Sequence, residues 1–125
     1  MRRILLFLFL AVPVYSCNQT AATGYQNLDN KTFAEKMKDT GVVVLDVRTQ
    51  DEYDHGHIHS AMQLDFYNPN FKSSLDTLNK NKTYLVYCAA GGRSSKTCKM
   101  LKERGCDKVY NLEHGFNKWD GEKEQ

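Results

Sequence analysis

Cys88 begins the run Cys88-Ala89-Ala90-Gly91-Gly92-Arg93-Ser94, the part of the chain best suited to chemistry. It joins the end of an apolar stretch to the start of a helical one. Two adjacent glycines admit backbone conformations that other residues resist. Successive N–H groups can then turn inward and form an anion-binding nest at a helix N-terminus. The Cys88 side chain would project into that nest, and Ser94 is placed to cap the helix. An ordinary cysteine titrates near about 8.5, so only a few per cent is thiolate at neutral pH. Making it mostly ionised needs a drop of about two units, roughly 2.7 kcal/mol. A helix N-terminus supplies about 0.3–1 kcal/mol and at most about 2. Converging N–H donors and the positive charge of Arg93 are expected to supply the rest. The competing reading is a buried, inert cysteine at a strand end.

The surrounding pattern positions this loop. Asn30 to Met37 reads as a helix capped by Asn30, with Phe33 and Met37 on one face, ended by Asp39-Thr40-Gly41. Val42 to Val47 is β-branched without polar alternation, as in a strand buried on both faces. Thr83 to Tyr87 reads as a second such strand. Asp51 to Asp54 is a short acidic turn, Ala61 to Asp65 a short strand and Phe71 to Leu78 a helix. Ser94 to Arg104 is a helix stopped by Gly105, Val109 to Leu112 a last strand, and Phe116 to Trp119 a last turn anchored by Trp119. Alternation of strand and helix implies a single α/β domain, with a mainly parallel central sheet flanked by helices on both faces. In such sheets the site lies past the carboxyl ends of the strands. Two polar clusters lie there, Asp46-Val47-Arg48 and Cys88 to Arg93.

The chain has 125 residues and a formal charge of +2. That length holds one domain. Arg2 and Arg3 precede an apolar run, Ile4 to Val12, that is too short to span a bilayer; Pro13 breaks it. Residues 1–16 are expected to be a signal peptide and 17–24 a tether, its polar stretch from Asn18 to Gly24 flexible. The stretch Val14-Tyr15-Ser16-Cys17 resembles a bacterial lipobox, which implies cleavage before Cys17 and lipidation of it; an ordinary signal peptide or an uncleaved anchor is the alternative. The expected location is the periplasm or cell envelope, with membrane attachment only through that lipid. Without Arg2 and Arg3 the 17 basic residues become 15, equal to the 15 acidic ones. Nothing in that balance calls for nucleic acid as a partner.

The motifs together resemble the rhodanese-like sulfurtransferase domain, over about Tyr25 to Trp119. Leu45-Asp46-Val47-Arg48, Glu52-Tyr53 with Gly56-His57-Ile58 and Ala61, Val86-Tyr87-Cys88 to Ser94, and Asn111-Leu112-Glu113 with Gly115 and Trp119 stand in that family's order. The resemblance implies a domain spanning 25–121. It also implies transfer of a sulfane sulfur from a donor such as thiosulfate through a Cys88 persulfide to cyanide or a thiol, free or on a protein. Ala89, Ala90, Gly91, Gly92, Arg93 and Ser94 would bind the anion, Arg93 holding the donor or closing the loop, and Asp46 and Arg48 would brace it. No cofactor is implied, and a monomer is expected. Departures from the family are His59-Ser60 where Pro-Gly is frequent, His114 in place of glycine, and the uncharged Ala89 and Ala90. Because thiosulfate specialists tend to be basic at those two positions, the donor stays open.

Rival readings follow from the same residues. A phosphatase or arsenate reductase of this fold would show C-x5-R, whereas Cys88 to Arg93 is C-x4-R, the sulfur-transfer length. A non-catalytic or redox binding module is another alternative. Cys98 and Cys106 would be core residues, or else a disulfide pair in an exported protein. His55, His57 and His59 alternate, but nothing in their spacing makes them converge on a metal, and no metal site is expected.

Overall fold

The computed structural model describes residues 24–125. The expected leader, the expected lipobox with Cys17 and the expected tether up to residue 23 lie outside the described residues. Seven strands and four α-helices follow in order. They are β1 (Gln26–Leu28), α1 (Asn30–Lys36), β2 (Val42–Asp46), α2 (Gln50–Asp54), β3 (His57–Ile58), β4 (Met62–Gln63), α3 (Phe71–Asp76), β5 (Thr83–Tyr87), α4 (Gly92–Glu103), β6 (Lys108–Leu112) and, after a 3-10 turn at Phe116–Lys118, β7 (Lys123–Glu124).

Five strands form one sheet in the order β1-β6-β5-β2-β4, every pair parallel. The expected α/β architecture is therefore present. Side chains alternate across a strand, and here both sides are core. Leu45, Tyr84, Val86 and Cys88 pack with Phe71, Leu75, Cys98 and Leu101 of α3 and α4. Val44, Leu85 and Tyr87 pack on the opposite face with Phe33 of α1 and with Trp119. This two-sided burial is why β2 and β5 carry no polar alternation. It also directs Cys88 to the face covered by α4.

Three local expectations are corrected. Asp29, not Asn30, caps α1: its carboxylate accepts the Thr32 N–H at 2.8 Å. Asn30 instead donates to the Lys118 carbonyl at 2.7 Å and to Asp120, tying α1 to the C-terminal turn. Ser94 does not cap α4. The helix starts two residues earlier, with Gly91 as N-cap at φ 104°, a left-handed conformation that suits glycine. Of the expected Ala61 to Asp65 strand, only Met62–Gln63 pairs, alongside β2. Past the expected domain end at 121, β7 pairs antiparallel with β3.

Candidate active site

The Cys88 thiol sits directly after β5 and is 2 % exposed. The Gly91 N–H donates to its sulfur at 3.1 Å, and the Ser94 hydroxyl lies 3.3 Å away. The loop carbonyls are tied outward. The Phe116 N–H bonds the Cys88 carbonyl at 2.8 Å, and the Asn117 N–H bonds that of Ala89 at 3.0 Å. With the carbonyls engaged behind the loop, its amides are left to face the sulfur. Burial, the largest single influence, raises the Cys88 pKa. The Ser94 hydroxyl and the N–H groups of Ser94, Gly91 and Ala90 together outweigh it, so the net shift is downward.

Two glycines let the loop and the segment after β6 interlock. A Cβ on Gly91 would lie 2.5 Å from the Glu113 carbonyl oxygen. A Cβ on Gly115, which holds φ 67°, would collide with the Ala89 carbonyl and lie 2.7 Å from the Ala90 nitrogen.

Arg93 directs its hydrogen bonds to a carboxylate across the site; these, and to a lesser degree the charge of Cys88, raise its pKa. Its guanidinium grips the Glu52 carboxylate at 2.8 and 3.1 Å. That hydrogen bonding draws the Glu52 pKa down from 4.5 to about 2. Glu52 also completes the capping box of α2 with Thr49. The pair closes the shoulder of the site between α2 and α4, and the ring of Tyr67 stands 5.6 Å from the guanidinium. Arg93 therefore carries its charge already matched. The Glu52 contact spans 41 residues of sequence and no local spacing signals it.

Asp46 and Arg48 act one layer below the loop. Both are buried and form a charge-paired unit at 2.7 Å, and Arg48 also donates to the Gly56 carbonyl at 2.7 Å. The Tyr87 hydroxyl donates to Asp46 at 2.6 Å and accepts the Ile58 N–H at 3.0 Å. Burial and the Asp46 charge push the Tyr87 phenol upward, so it stays a neutral donor. Arg48 stacks 4.1 Å from the Phe116 ring. Tyr87 precedes Cys88, and Phe116 holds the Cys88 carbonyl, so the unit reaches the loop through these two neighbours.

The other candidates fall elsewhere. Cys98 and Cys106 are free thiols in the core; burial raises the pKa of each and makes them poor nucleophiles. His57 stacks on Tyr53 at 3.7 Å and bonds the Tyr53 carbonyl through Nδ1. His57 and His59 both meet Glu124 of β7. His55 folds back onto the Asp51 carbonyl. His114 is solvent-exposed, 3.9 Å from Glu113.

The chain matches the model of the rhodanese-like domain over residues 29–122. It is 33% identical to the thiosulfate sulfurtransferase GlpE of Coxiella burnetii, across 76% of this chain and 87% of that one. It is 31% identical to the Bacillus subtilis protein YqhL, described as uncharacterized, across 94% and 92% of the two chains. The crystal structure of a rhodanese-like domain protein from Staphylococcus aureus superposes with a TM-score of 0.67 at 28% identity, covering 78% of this chain and 93% of the other. A five-stranded parallel sheet, a buried cysteine at its carboxyl edge and a match over three-quarters of the sequence make this chain a member of the rhodanese-like domain family.

Proposed function

We propose that the protein is a sulfurtransferase that carries a sulfane sulfur on Cys88. The observation that carries this reading is the sulfur environment: a buried thiol ringed by the Gly91 N–H, the Ser94 hydroxyl and further amides, with no adjacent base. Such a cradle stabilises a thiolate and equally the terminal sulfur of a persulfide, which is again anionic. The Cys88 thiolate attacks the outer sulfur of a donor such as thiosulfate. The sulfur–sulfur bond breaks, its electron pair leaves on sulfite, and the outer sulfur stays on Cys88. An acceptor, cyanide or a thiolate, then attacks the terminal sulfur and returns Cys88 as thiolate. Two steps through a covalent intermediate give ping-pong kinetics. Burial shields the persulfide from water and reductants between the steps.

The four-residue spacing between Cys88 and Arg93, together with an arginine turned onto Glu52, favours sulfur over a tetrahedral oxyanion as cargo. The test is steady-state transfer with thiosulfate and other sulfur donors, read alongside intact mass. The expected result is a one-sulfur mass gain after donor treatment, absent in Cys88→Ser. No gain with any donor would leave a non-catalytic binding module as the reading.

A further inference from the structure

We propose that a groove along α4 docks an acidic, cysteine-bearing segment of a protein that exchanges sulfur with Cys88. The inference rests on the sulfur-transfer reading and names the macromolecular substrate of that site. Two cavities of about 460 and 340 Å³ adjoin on the outer face of α4 and share Lys72 and Met100. Their floor is apolar, from Phe66, Phe71 and Met100, and their rim is basic, from Lys72, Lys96 and Lys99. Among the described residues none of these lysines makes an ion pair, whereas Arg104 at the far end is held by Asp76 at 2.7 Å. Glu103 is the only acid lining either cavity. The described residues taken together carry 15 basic and 15 acidic side chains, so this concentration of lysines is local.

The groove runs toward the Arg93 end of α4, which flanks the site. Arg93 and Lys96 stand three residues apart and Met100 four further on, one stripe of the helix. Phe66 packs at 5.5 Å on Tyr67, whose ring faces Arg93 and whose surface is 68 % exposed. From Arg93 to Arg104 the helix rises about 16 Å, the reach of about five residues of extended chain. A donor the size of thiosulfate, seated at Cys88, cannot touch this surface; a peptide segment can touch both. Methionine and phenylalanine on the floor adapt to apolar side chains, and the lysines select negative ones and speed encounter. Binding energy from this remote surface would then orient a thiol at a mouth whose Arg93 charge is already matched by Glu52.

The probe is a pair of ten-residue peptides with one cysteine and two leucines, identical except that four glutamates in one are glutamines in the other. With the full chain loaded as persulfide, the acidic peptide is expected to take sulfur with about tenfold higher kcat/KM at low salt, a preference that fades as salt screens it. The triple variant Lys72→Glu, Lys96→Glu, Lys99→Glu should lose the preference and keep its rate with cyanide. Equal rates for the two peptides, or a preference that survives in the triple variant, would overturn the proposal. Fluorescence anisotropy of the labelled acidic peptide on Cys88→Ser reads docking without chemistry. A protein that forms no persulfide yet binds this peptide through the lysines refutes the transfer reading and leaves the groove assigned. Binding to anionic phospholipid vesicles with no discrimination between peptides would make the surface a membrane contact and overturn the assignment.

Discussion

Replacing Glu52 by glutamine tests whether the charge at the mouth restrains small dianionic donors. The carboxylate is bound twice by Arg93, and its pKa falls to about 2, so it is ionised throughout any working pH range. Its depressed pKa stabilises the fold above the ordinary carboxylate value, and that contribution is lost only as the pH falls through about 2. Between pH 5 and 9 the Glu52→Gln difference is therefore constant and cannot be mistaken for titration of Glu52. The glutamine keeps an oxygen for the Thr49 contacts and removes one negative charge. At roughly 8 Å a unit charge and a dianion in water interact by about 1 kcal/mol at low salt, before screening, and by more at the lower dielectric of a protein surface. Taking about 1–2 kcal/mol, kcat/KM for thiosulfate should rise about 5- to 30-fold. A thiosulfonate, with one charge, should gain only about the square root of that factor, since the energy halves. Initial rates of sulfite or sulfinate release at several ionic strengths measure both. Part of the stability of a partly buried pair is lost, about 1 kcal/mol at most, which a thermal midpoint will show. An unchanged or reduced thiosulfate rate, in a variant that is folded and titrates its thiol normally, would refute the reasoning.

Ser94→Ala removes the hydroxyl 3.3 Å from the Cys88 sulfur; the pH midpoint of Cys88 alkylation should rise by about one unit, the worth of a hydrogen bond to a charged group. Because the thiolate is the nucleophile, activity should fall off at higher pH in this variant than in the parent as the pH is lowered. Gly115→Ala drives a methyl group into the Ala89 carbonyl at positive φ. It should destabilise the protein by about 1–3 kcal/mol and cost more than about tenfold in transfer rate, because a small misplacement of the loop is costly. Asp46→Asn leaves the buried Arg48 without its counter-ion, and denaturant unfolding should report a loss of about 3–5 kcal/mol.

The parts of the site that sequence revealed are those written in contiguous residues. Val42 to Val47 and Thr83 to Tyr87 read as two-sided strands because both faces are core, and the Gly-Gly turn after Cys88 marked the nest. Strands of two or three residues, such as β1, β3 and β7, are too short to show a period. Ser94 misled because serine favours helix caps, yet Gly91 in a left-handed conformation starts α4 early and carries the serine inward. The fate of Arg93 was hidden for a different reason. An arginine in an anion loop reads as an anion ligand until a carboxylate from α2 is folded against it, and that approach is tertiary. Gly115 stood out only within a motif; the close contact with Ala89 explains why a side chain is excluded there.

These two discoveries, the inward serine and the matched arginine, bear on one another. Stabilising a thiolate with a cation would tie the reactivity of Cys88 to ionic strength, and would put a fixed charge where the donor's leaving group must separate. Here the groups in contact with the sulfur are dipoles, and the Arg93 cation acts on it only at longer range. Amides of the Cys88–Ser94 loop face the sulfur because Phe116 and Asn117 hold the Cys88 and Ala89 carbonyls behind it. That orientation is set during folding, so no reorganisation is needed as charge moves from thiolate to persulfide and back. Arg93 turns its hydrogen bonds to a structural task, joining α4 to α2 through Glu52, and keeps only a longer-range attraction to the thiolate. The thiolate midpoint of Cys88 should consequently stay nearly constant as salt is varied, while the rate with charged donors does not. Measuring the two on one preparation separates dipolar from ionic stabilisation, and a midpoint that climbed steeply with salt would return the credit to Arg93.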